Sequence, residues 1–167
     1  KVNQHLVLSG RPSAIPAAPA DAYGAAVMGD SPDIYWRLDE TGGTSAGDVS
    51  GGGDTGLYTG GVTKNIAGAI SGTSNSAASF DGIDGLVSST LQYSNPQTYS
   101  LEAWFQTTSG SGGKIIGFGR NQTGSSSSYD RHVYLQDDGR LVYGTYTGQT
   151  NTVTTSAPYN DGRWHHV

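Results

Sequence analysis

Residues 132–146 read HVYLQDDGRLVYGTY. Two runs of aromatic and β-branched residues flank Asp138-Gly139, a pair of residues suited to the backbone of a tight hairpin. A two-residue turn at that point sets Leu135 opposite Val142 and Tyr134 opposite Tyr143. Both faces of the hairpin then carry apolar bulk. Before it, NQTGSSSSYDR (121–131) is a polar loop and KIIGFGR (114–120) another strand. After it, DGRWHHV (161–167) leads from an Asp-Gly turn into the start of a further strand.

Further out, YSLEAWFQT (99–107) alternates Leu101, Ala103 and Phe105 against Glu102, Trp104 and Gln106, and the first set is expected in the core together with Trp36. SAASFDGIDGLVSS (76–89) reads as two short strands joined by a turn. IYWRLDE (34–40) places Ile34, Trp36 and Leu38 on one face and predicts a first strand. Between these, TGGTSAGDVSGGGDTGLYTGG (41–61) is a long glycine-rich loop that something must hold if it is not mobile. Short strands separated by glycine turns, without helical segments between them, indicate an all-β, antiparallel β-sandwich. At the other end, HLVL (5–8) is either the last strand of an upstream region or a docked tail, and RPSAIPAAPA (11–20) is a proline-rich linker. One short helix is expected over 21–29, with Asp21 as N-cap and Gly29 as stop. The division is therefore 1–20 as tail and linker, and 21–167 as one domain.

The 167 residues include 26 glycines, with 34% hydrophobic and 14% charged residues, and the remainder is dominated by Thr, Ser, Tyr and Asn. A net charge of −5 with nine scattered Lys and Arg residues offers no basic stripe, so nucleic acid is not an expected partner. No apolar run is long enough to span a bilayer. Cysteine is absent, which excludes disulfides and thiolate metal sites. The composition leans towards a secreted, extracellular protein.

The ordered set YWRLDE, GDVSGGGDTG, FDGIDGLV, YSLEAWFQT, the Asp-Gly hairpin and DGRWHHV resembles the laminin-G-like jelly rolls of the concanavalin A-like lectin and glucanase superfamily, over residues 33–167. The lead-in AYGAAVMGDSPDIYWRLDE is similar to modules appended to secreted actinobacterial proteins. The resemblance implies a non-catalytic carbohydrate-binding or adhesion module, or else a structural building block of an extracellular assembly. It also implies a jelly roll with more strands than these residues supply. C-terminal strands are then expected from a longer chain or from a second chain.

The chemistry follows from residue types. A glycosidase needs two flanking carboxyl groups. The only glutamates, Glu40 and Glu102, have no acidic residue two positions away, so no catalytic residue is assigned. Asp48 and Asp54 flank a glycine run whose carbonyls could converge on a hard cation. The resemblance implies calcium at Asp48, with Asp84 of the FDGIDG turn nearby; ordinary turn aspartates are the alternative. His165 and His166 are adjacent, so a strand sends them to opposite faces. His132, Tyr134 and Tyr143 are expected to share one strand face as a polar-aromatic patch suited to sugar rings, or to pack beneath another layer. Asn121-Gln122-Thr123 matches a glycosylation sequon.

Overall fold

The computed structural model describes residues 16–167, so the HLVL segment and residues 11–15 of the linker lie outside the described part. The chain is an antiparallel all-β fold of the jelly-roll kind with one short helix. Helix α1 (Ala22–Gly29) starts where Asp21 accepts the Gly24 N–H at 2.8 Å, as its N-cap position requires. Strands β1 (Ser45–Ala46), β2 (Gly56–Thr59) and β5 (Leu86–Ser89) form one sheet in the order β1-β2-β5. Strands β3 (Val62–Ala67) and β4 (Ser76–Phe80) form a separate hairpin. Strand β6 (Trp104–Gln106) pairs with β11 (Trp164–His166), and a four-stranded sheet runs β10-β9-β8-β7, from Thr150–Pro158 and Arg140–Tyr146 to Tyr129–Leu135 and Gly113–Gly119.

Where β6–β11 lies against the four-stranded sheet, Phe105, Val133, Leu135 and Leu141 are buried together, with Ile116, Tyr159 and Val167 packed around them. The alternation of YSLEAWFQT is borne out: Phe105 is 9% exposed and Trp104 38%. Pairing of His165 with Phe105 and of His166 with Trp104 sends the two histidines to opposite faces. On the outer face Trp104 donates its indole N–H to Tyr23 Oη at 2.9 Å, and Arg37 pairs with Asp21 at 2.9 Å. Helix α1 is thereby pinned by side chains to the domain.

Four expectations need correction. The hairpin turn is longer by one residue: Gln136 N donates to Arg140 O, Gly139 N to Gln136 O, and Gly139 has φ +82°. This is a three-residue loop closed by a left-handed glycine, and it sets Leu135 opposite Leu141 and Tyr134 opposite Val142. Residues 34–40 do not form a strand. Only Trp36 bridges, to Asp48, and Leu38 has φ +56°. The Tyr35 N–H is taken by the Asp48 carboxylate and the Trp36 indole by the Asp54 carbonyl, so side-chain bonding replaces a ladder. Trp36 accordingly lies over Gly56 beside Val87 and not among the residues around Phe105. The glycine-rich stretch 41–61 also holds strands β1 and β2.

Phe105→Ala should cost about 3–5 kcal/mol by transfer and cavity terms, read from chemical denaturation. Gly139→Ala should cost more than about 1 kcal/mol, because an L side chain is strained at that φ. A Cβ there would also fall 2.0 Å from Asn160 Oδ1, a side chain itself held to the Ser109 carbonyl.

Candidate functional site

Strand β8 carries a line of rings on the sheet face turned away from Phe105. His132 stands 5.1 Å from Tyr129 and 5.0 Å from Tyr134 by ring centroids. Strict alternation would send Tyr129 to the other face, with Val133. A bulge at Arg131, φ +47°, inserts one unpaired residue between Asp130 and His132 and brings Tyr129 into line. The opposite residues give the rings room. His132 pairs with Gly117 on one side and Gly144 on the other, and a Cβ at Gly117 would stand 2.2 Å from that of His132. Tyr129 is 61% exposed, while Val142 opposite Tyr134 is 1% exposed.

Burial lowers the His132 pKa, and the nearby Lys114 charge lowers it further, against an opposing pull from Asp130. Its Nδ1 is buried and has no hydrogen-bond partner among the described residues, as is the case for Gln136 Oε1 beyond Tyr134. An open groove lined by Ser111, Gly113, Tyr134, Gln136 and Asp137 continues from the line of rings towards the hairpin turn. The face thus carries aromatic surface with a polar groove at its Tyr134 end.

Tyr143 is not part of this face. The corrected register pairs it with Val133, on the side of the core, where its hydroxyl meets that of Tyr99. The expected trio is therefore a pair, His132 and Tyr134, joined by Tyr129. The signal for Tyr129 was the bulge, and an arginine in left-handed backbone is not announced by its neighbours.

Asp48 and Asp84 are not brought together. Asp48 is 2% exposed; its Oδ1 accepts the N–H groups of Tyr35 and Ser50 at 3.0 and 2.9 Å, and its Oδ2 that of Asp54 at 3.0 Å. Asp54 is 0% exposed and accepts from Ser89 Oγ at 2.6 Å and from Thr90 N at 3.1 Å, at the Gly56–Ser89 end of the β2–β5 ladder. Asp84 is exposed and accepts the Gly61 N–H beyond the Thr59–Leu86 end. Four residue pairs separate the two positions, roughly 10 Å or more at about 3.4 Å per residue, whereas ligands of one calcium ion lie within about 5 Å of each other. Among the described residues no three His, Asp or Glu side chains gather as a metal site. The residues present do not fit an ion shared by Asp48 and Asp84. The glycine-rich loop is held instead by two carboxylates that gather backbone N–H groups.

Glu40 is also committed, accepting from Gly47 N and Tyr58 Oη, each at 2.7 Å. Burial, then the bond to Glu40, raises the Tyr58 pKa. Glu102 lies 3.5 Å from His166.

A laminin-G family model, described as concanavalin A-like lectin/glucanases superfamily, matches residues 80–167. No curated protein and no solved structure matches the chain.

Burial pushes the Asp48 carboxyl up, but the bonds from Ser50, Tyr35 and Asp54 outweigh it and hold the pKa below the ordinary value. A depressed carboxyl contributes stability above its unfolded pKa, about 3.9, and loses it as pH falls through the folded value. Asp48→Asn should therefore destabilise by about 1–3 kcal/mol at pH 7, with the gap to the parent protein closing below about pH 4. Melting curves of the parent in chelator and in millimolar calcium should superimpose; a calcium-dependent rise that Asp48→Asn abolishes would overturn this account.

Proposed function

The chain belongs to the concanavalin A-like lectin/glucanase superfamily, and from that premise we propose that it is a non-catalytic carbohydrate-binding module of a secreted, extracellular protein. The observation that carries the reading is the line Tyr129–His132–Tyr134, with ring centroids about one sugar residue apart and glycine on both sides of its centre. Sugar rings present C–H faces that stack on aromatic surface, while their hydroxyls seek hydrogen-bonding groups such as those of the exposed Ser111 and Asp137 in the groove beside Tyr134. Absence of catalysis is supported by the acidic side chains: Glu40 has both oxygens in structural bonds, and Asp48 and Asp54 are buried under backbone donors.

A second reading, a building block that adheres to neighbouring extracellular proteins, is favoured by β10. This nine-residue strand stands at the edge of its sheet, is largely exposed, and has Val153 72% open to solvent. Such an edge can accept a strand from another chain.

Tyr129→Ala and Tyr134→Ala should each weaken oligosaccharide binding by about ten-fold in titration calorimetry, roughly 1.4 kcal/mol. Tyr143→Ala should leave it unchanged. Equal losses from all three, or a blank glycan array together with concentration-dependent polymer formation, would remove the carbohydrate reading in favour of the second.

A further inference from the structure

The line of rings is accompanied by a cation that has no counter-charge. Lys114 pairs with Tyr134 in the β7–β8 register and is exposed. It enters no ion pair among the described residues. Its Nζ lies 3.7 Å from where a Cβ on Gly119 would stand, and Gly119 pairs with Tyr129. The side chain therefore runs beside the rings from the Tyr134 end to the Tyr129 end, past Gly117, which has no side chain to obstruct it. The carboxylates of the neighbourhood are otherwise engaged or distant. Asp130 is paired with Arg131 at 2.5 Å and also accepts the Tyr146 N–H. Asp138 is paired with Arg140 at 2.8 Å, and Asp137 sits in the hairpin turn against Gly112, beyond Tyr134.

We propose that the saccharide bound on this face is acidic, its carboxylate or sulfate pairing with the Lys114 ammonium while its ring stacks on Tyr129 and Tyr134. The inference rests on the carbohydrate reading and narrows it to uronate- or sulfate-bearing glycans. A neutral sugar would leave the ammonium to water; an anionic group gains a charge-assisted hydrogen bond in a place already lined by apolar rings. The contact is at the surface, so it should weaken with salt.

The test is calorimetry of the full chain with matched pairs: uronan oligosaccharides against their methyl esters, and sulfated galactan oligosaccharides against their desulfated forms. The acidic member of at least one pair should bind about ten-fold more tightly than its neutral partner, about 1.4 kcal/mol, with the preference shrinking at high salt. Lys114→Gln should erase the difference and leave the neutral affinity as it was. Whichever pair shows the preference identifies the acidic group. Equal binding within both pairs, or a preference that survives Lys114→Gln, overturns the inference while leaving the carbohydrate function standing. No binding of any member overturns both.

Discussion

Which residue of β9 lies opposite which residue of β8 governs everything on the four-stranded sheet. Side chains alternate across a strand, so a slip of one residue exchanges the covered and open faces. Two local features set the pairings of β8, one towards β9 and one towards β7. Gly139 in left-handed backbone lengthens the hairpin loop to three residues, and Leu135 thereby meets Leu141 in the core. At the other end of β8, Arg131 absorbs one residue as a bulge, and Tyr129 is turned outwards to stand in line with His132 and Tyr134. The packed core and the aromatic face are thus consequences of the same two backbone positions.

The sheet holding β1 and β2 is organised by a different device. Strands of two and four residues give few ladder bonds, and the connection between them is rich in glycine. Buried carboxylates compensate. Asp48 ties Tyr35, Ser50 and Asp54 together, and Asp54 reaches on to Ser89 and Thr90 across the next strand. Each carboxylate offers several acceptor directions, and backbone N–H groups together with the Ser89 hydroxyl occupy them. Glu40 performs a similar service between Gly47 and Tyr58.

Much of the architecture was legible because its signals are local. Asp21 and Gly29 bound the helix, and the alternation around Phe105 fixed which side of β6 is buried. The failures fall where periodicity is weak or where long-range bonding overrides it. The exposed strand β10, TNTVTTSAP, has little apolar alternation, and β3 is interrupted by a bulge with Asn65 at φ +58°. Neither announces itself by periodicity. Residues 34–40 alternate well, yet side-chain acceptors distant in sequence captured their donors. For the site, His132 and Tyr134 were legible as neighbours on one face. Tyr143 was misplaced by the turn, and Tyr129 and Lys114 were hidden, because the bulge and the glycine-lined path that align them are features of the backbone.

The attachment of helix α1 has a mechanical consequence. Its side-chain links to the rest of the domain include Asp21–Arg37 and Tyr23–Trp104, and Trp104 belongs to a strand locked to β11 by backbone pairing. Tension applied from the Pro16–Pro19 side meets side-chain contacts, Pro16 against Gly47 and then those of the helix, before any ladder is loaded. An ion pair and a single indole bond should yield at lower force than a set of backbone bonds sheared together, so the helix is expected to detach under load before the sheets open.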